Sequence, residues 1–102
     1  MTLVYITCRD KKEAERISRH LLKKRLIACS NMFPIRSMYW WKSKIIDEEE
    51  TAIIAKTNNK KFKKVVSEVE KIHSYEVPCI LRINSDSNKA FNQWVNKEIN
   101  KK

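Results

Sequence analysis

The spacing of apolar and polar residues changes along the chain, and each change marks an element. Residues 3 to 8, LVYITC, form a continuous apolar run closed by the turn signal Arg9-Asp10, which predicts a strand. From Asp10 the period lengthens. Ala14, Ile17, Leu21 and Leu22 recur at helical spacing, Asp10 is placed to cap the helix, and Glu13 is placed to reach back toward that cap. His20 lies off the stripe, on the side expected to face water. Segments 28–41 and 45–57 flank the polar turn Lys42-Ser43-Lys44 and predict a β-hairpin. Its arms, about 13 residues each, far exceed the usual five or six. Pro34 cannot donate to a ladder and marks a bulge or an edge position. Asn58 or Asn59 then caps a second helix whose Phe62, Val65, Val66, Val69 and Ile72 share a face, and His73 at its end points the same way. Pro78 disfavours helix at Val77, CILRI (79–83) reads as a fourth strand, and Ser85 to Ser87 open a terminal helix with Phe91, Trp94, Val95 and Ile99 inward.

The element order βαββαβ, with two crossovers in a chain of 102 residues, predicts an α+β fold: a single ferredoxin-like domain spanning 1–102, with an extended hairpin and an added C-terminal helix. Helices in such a sandwich cover one face of the sheet, so a face open to water would show polar alternation. LVYITC, AIIA (52–55) and CILRI are instead apolar at both parities, and Tyr39, Trp40 and Trp41 follow one another in the hairpin. The uncovered face is therefore expected to be a subunit interface. Long arms that pair with a neighbour's edge close into a ring when the rotation suits, and the residues leave the number of copies open.

Composition removes several function classes. Glycine is absent, so a Walker loop, a dinucleotide-binding turn and the glycine-bearing signature of an RNA-recognition motif are all excluded, and no nucleotide cofactor is expected. The formal charge is +10. Its lysines are spread over all three helical segments without interleaved aromatics, which argues for a generally basic surface rather than a nucleic-acid footprint. Cys8, Cys29 and Cys79 are odd in number with no C-x-x-C pair, so they read as small strand residues rather than as a disulfide framework or zinc knuckle. No run approaches the roughly 18 apolar residues of a membrane span, and the N-terminus lacks the features of a leader, so a cytoplasmic protein is expected.

Five segments in order, RLIACSN (25–31), SMYWWKSKI (37–45), AKT (55–57), HSYEVP (73–78) and FNQWV (91–95), resemble the CutA divalent-cation tolerance family over nearly the whole chain. That resemblance implies a homotrimer with its sheets turned inward, similar to the PII signalling proteins, linked to copper tolerance and able to bind divalent copper. It also implies, by the PII likeness, a small ligand in an intersubunit cleft and regulation of a partner protein. Two positions depart from the family pattern: Lys42-Ser43 stands where glycine is usual in the hairpin turn, and Ser74 where proline usually follows the histidine.

Donor chemistry singles out His73, whose imidazole suits copper, together with the thiols of Cys29 or Cys8 and the carboxylate of Glu76, as a metal site at a subunit boundary. The competing reading of His73 is a hydrogen-bonded packing residue. Tyr39, Trp41, Lys56 and Tyr75 are the candidate walls of a ligand cleft, against a reading of the aromatics as core or interface packing. Asp47, Glu48, Glu49 and Glu50 offer oxygen ligands, but at most two converge on one side of a strand, and the run reads as a solvated strand end. No phosphate loop, nucleophile–histidine spacing or paired acid positions are present, so no enzymatic activity is expected.

Overall fold

The computed structural model describes residues 1–102. Strand β1 (Thr2–Cys8) is followed by α1 (Lys11–Lys23), the hairpin strands β2 (Cys29–Trp41) and β3 (Lys44–Thr57), a single 3₁₀ turn (Asn59–Lys61), α2 (Phe62–Ile72), β4 (Ile80–Asn84) and α3 (Lys89–Ile99). The sheet is antiparallel in the order β2-β3-β1-β4, which is the ferredoxin-like arrangement expected from the sequence.

Each helix start has a local cause. Asp10 accepts the Glu13 backbone N–H at 2.9 Å and caps α1. Asn58 accepts the Lys61 N–H and caps the 3₁₀ turn that leads into α2. The terminal helix begins at Lys89 with Asn88 in the cap position, later than Ser85 to Ser87, because β4 runs on to Asn84 and residues 85–88 are spent leaving the sheet. Helix α1 ends in a Schellman motif: Arg25 N–H reaches the Leu22 carbonyl, Leu26 N–H reaches that of Leu21, and Arg25 is left-handed at φ 58°.

The core lies between the helices and one face of the sheet. Val4, Ile6 and Cys8 of β1 pack with Ile53 and Ala55 of β3, Ala14, Ile17 and Leu21 of α1, and Val65 and Val69 of α2. Strand β1 alternates strictly between buried and partly buried residues, so its other parity, Leu3, Tyr5 and Thr7, faces away from the helices. Register places Ile54, Leu81, Ile83 and Phe33 on that same open face. The apolar second face expected from the sequence is thus present, with Leu81 at 51% and Ile83 at 43% exposure.

Several expectations change. Leu22 leaves the α1 stripe and is exposed, as its place one position past Leu21 dictates. Trp94 is half-exposed rather than inward, stacked on Phe91 at 5.6 Å, and Val95 and Ile99 alone bury α3. His20 is only partly solvated, 30% exposed at its side chain, and lies 3.0 Å from Glu68 on α2. Pro34, read as a bulge or an edge position, takes the edge alternative, since β2 is the sheet edge and the β2–β3 register is continuous. The hairpin turn is two residues long, with Lys44 already paired to Trp41. Lys42 and Ser43 both take positive φ, 49° and 66°, which is the type I′ geometry that matches strand twist.

Candidate functional site

Glu13 organises the joint between β1, α1 and the segment after α2. Its side chain is 2% exposed and accepts the Arg9 N–H at 2.9 Å, so it reaches back one residue beyond the cap. Its second oxygen accepts the Ser74 N–H at 2.9 Å and the Arg16 guanidinium at 3.1 Å. Burial pushes the carboxyl upward, but the Ser74 and Arg9 donors and nearby His73 outweigh it and hold the group below its ordinary range.

His73 sits beside it with a fully buried side chain, its Nδ1 3.9 Å from Glu13 Oε1. Tyr75 N–H donates to Nδ1 at 3.0 Å, so Nδ1 is the acceptor and Nε2–H donates to the Thr7 carbonyl at 2.8 Å. The Cys8 sulfur completes a cluster: Cys8, Glu13 and His73 offer ligand atoms all within 4.8 Å of one another. Burial, then the charges of Glu13 and Glu50, push the Cys8 thiol up to about 12, so it stays protonated near neutral pH.

Of the four metal-ligand candidates, the fold brings together only His73 and Cys8. Cys29 lies opposite Lys56, on the open face of the sheet, with its sulfur 3.9 Å from the Lys56 ammonium. Glu76 is exposed and turns to the neighbouring cleft. Glu13, the third member of the cluster, was legible only as a capping residue.

That cleft, of about 600 Å³, opens between the hairpin and residues 74–79. Tyr39, Trp41 and Tyr75 line it, along with Trp40, Glu48 and Glu50. Lys56 does not: it is six residues beyond Glu50 on β3, about 20 Å away along the strand. Within the single chain Trp40 is 71% exposed and Tyr39 and Trp41 stand at 37% and 38%, so these three are not core. The acidic run is also not a uniformly solvated strand end. Asp47 pairs with Arg36 outside the cleft, whereas Glu50 is buried and accepts the Tyr75 hydroxyl, and Glu48 accepts that of Tyr39. Tyr75 is therefore shared. Its backbone is fixed by His73, its ring lies 4.8 Å from the imidazole, and its hydroxyl forms part of the cleft wall.

The model of the CutA1 divalent ion tolerance protein family matches residues 2–98. The chain belongs to this CutA family. It is 44% identical over 97 residues to the divalent-cation tolerance protein CutA of Archaeoglobus fulgidus, covering 94% of this chain and 95% of that protein. The solved structure of that relative, described as a periplasmic divalent cation tolerance protein, superposes with a TM-score of 0.94 over 97% of this chain and 99% of that one. CutA1 from Pyrococcus horikoshii superposes at 0.94 with 36% identity, over 99% of this chain and 100% of that one. A PII-like CutA from Nostoc sp. PCC 7120 in apo form superposes at 0.90 with 25% identity, each chain being covered to 97%. The CutA fold thus accommodates Lys42-Ser43 at its hairpin turn with the backbone carried by left-handed non-glycine residues.

Proposed function

We propose that this CutA chain is a homotrimeric, cytoplasmic copper-binding protein that acts in tolerance to divalent cations, with Cys8, His73 and Glu13 as the metal locus. The observation that carries this reading is the convergence of a thiol, an imidazole and a carboxylate within 4.8 Å. A soft sulfur with an imidazole nitrogen and an added oxygen suits copper better than hard cations. The donors are engaged before any metal arrives: His73 Nδ1 holds the Tyr75 N–H, and Cys8 carries a proton. Uptake therefore displaces a hydrogen bond and releases a thiol proton, so the locus favours a strongly bound, late first-row ion over weakly bound ones.

Calorimetric titration of the chelator-free protein with Cu(II) tests this. One ion per chain is expected, with affinity reduced about tenfold or more in Cys8→Ser and in His73→Gln. Tight binding that neither variant weakens would remove the locus, and no binding by the unmodified protein would remove the function.

The Nostoc neighbour's PII-like description supports a second reading, a small ligand in the cleft that governs contact with a partner protein. Every charged side chain lining that cleft is acidic, which disfavours an anionic ligand.

A further inference from the structure

The cleft contains two carboxylates, Glu48 and Glu50, that form no ion pair in the chain, although Arg9, Lys11 and Arg36 line an adjacent hollow that Glu50 also borders. Glu50 is only 7% exposed, and a carboxylate so far removed from water is unfavourable without a counter-charge. Neither Glu50 nor Glu48 takes part in any of the chain's ion pairs, which use Asp10, Glu13, Asp47, Glu68 and Glu98. Tyr75 hydrogen-bonds Oε2 of Glu50, and Tyr39 hydrogen-bonds Oε1 of Glu48. The Tyr39 phenol is held protonated, pushed up to about 12 by its bond to Glu48. The two hydroxyls act as donors and bring no positive charge to the cleft. The chain has 22 Lys and Arg, yet none lines this cleft.

The walls add a second requirement. Tyr39, Trp40, Trp41 and Tyr75 surround the acids, and aromatic faces attract cations while offering flat apolar contact. The Lys42 ammonium rests 5.7 Å from the centre of the Trp41 ring, outside the lining, so this indole already takes a cation on its face. The volume is that of a small-molecule site.

We propose that the cleft binds a small organic cation, an ammonium or guanidinium group on an aromatic or apolar body, with its head on Glu50 and Glu48 and its body against Trp41, Tyr39 and Tyr75. A bare metal ion would use the acids but leave the aromatic walls without a function. An anion would be repelled by three glutamates, Glu48, Glu50 and Glu76. This site is distinct from the Cys8 cluster, and its occupant has no need of copper.

The test is titration of the full chain with tyramine, followed by tryptophan fluorescence and calorimetry. Saturable binding of one tyramine per chain is expected. The neutral analogue 4-ethylphenol and the anionic 4-hydroxyphenylacetate should each bind at least about tenfold more weakly. Glu50→Gln still accepts the Tyr75 hydroxyl and should weaken tyramine about tenfold with its thermal unfolding little changed. Trp41→Leu, at an exposed hairpin position, should weaken it independently of Glu50. The proposal is overturned if the three analogues bind alike, or if tyramine fails to saturate at millimolar concentration. Mn(II) alone displacing tyramine at lower concentration would make this a metal site. A change in sedimentation on Glu50→Gln would show that a basic side chain of another copy fills the cleft.

Discussion

Arg25, Lys42 and Ser43 carry the consequence of a chain without glycine. All three hold φ between 49° and 66°, where a Cβ crowds the following carbonyl at a cost of about 1–2 kcal/mol per residue. The surroundings over-determine each one. Arg25 is held by the two Schellman hydrogen bonds and by burial of Leu26 against the end of α1. Lys42 and Ser43 are held by a hairpin whose register runs unbroken from Cys29–Lys56 to Trp41–Lys44. Ser43→Gly should therefore stabilise the protein by about 1 kcal/mol, seen as a higher urea midpoint with unchanged slope. Arg25→Gly should gain less, because the guanidinium also donates to the Glu98 carbonyl at 3.2 Å and ties α1 to α3. A loss of stability in Ser43→Gly would mean that the turn is not left-handed at that position. These positions could not be read from the sequence, since Lys-Ser and Lys-Arg carry no left-handed preference and only the geometry imposes it.

Elements meet through a few carboxylates. Glu68 on α2 faces Lys24 and His20 from the end of α1 and Lys71 from its own helix, at 2.9, 3.0 and 3.1 Å. Hydrogen bonds from Lys24, then His20 and Lys71, lower its carboxyl from the ordinary 4.5 to about 2. The unfolded chain takes up this proton first as pH falls, so the contribution of Glu68 is complete above about pH 4.5 and is lost as pH descends through about 2. Stability measured by urea unfolding between pH 5 and 2 should fall less steeply in Glu68→Gln than in the unmodified chain; equal slopes would show that these three donors do not hold the carboxylate. The Glu13 joint is a harder case of the same kind. Glu13→Gln keeps the size but weakens hydrogen bonds to Arg9, Ser74 and Arg16, and should destabilise by about 1.5–3 kcal/mol while loosening residues 73–76, read as faster amide exchange at Ser74 and Tyr75. The capping half of this arrangement was legible because Asp10 and Glu13 are three residues apart. Its other half was not, since Glu13 and Ser74 are 61 residues apart and Glu50 and Tyr75 are 25 apart, and only the crossovers bring them together. The same distinction applies to Lys56: its place in AKT carries the family resemblance but fixes neither the side of the sheet nor the distance along β3.

At the scale of the whole molecule, a lone protomer exposes more surface than its mass should require. It presents 6956 Å², whereas a compact monomer of 12.2 kDa presents about 6,100 Å². Its extents of 44 × 25 × 21 Å are elongated, and exposed apolar side chains stand on the hairpin (Met38, Trp40, Ile45) and on the bare side of the sheet. On that side Phe33, Leu81 and Ile83 stand beside Leu3, Tyr5 and Ile54, a continuous apolar face rather than scattered side chains. Each such aliphatic or aromatic side chain gains about 1.5–3 kcal/mol when fully covered, so a handful per protomer suffices to hold copies together at micromolar concentration. Strand β4 is the informative place to interfere. Leu81 pairs with Tyr5 on the open face, while its neighbours Ile80 and Arg82 share the other parity, so a charge at 81 disturbs assembly without entering the core. Leu81→Asp should sediment at one third of the mass of the unmodified protein, with its far-ultraviolet circular dichroism preserved. Leu81→Ala should keep the assembly but raise the concentration at which it dissociates. If Leu81→Asp assembled as well as the unmodified chain, the apolar face would not be what joins the copies, and the projecting hairpin would have to carry the association alone.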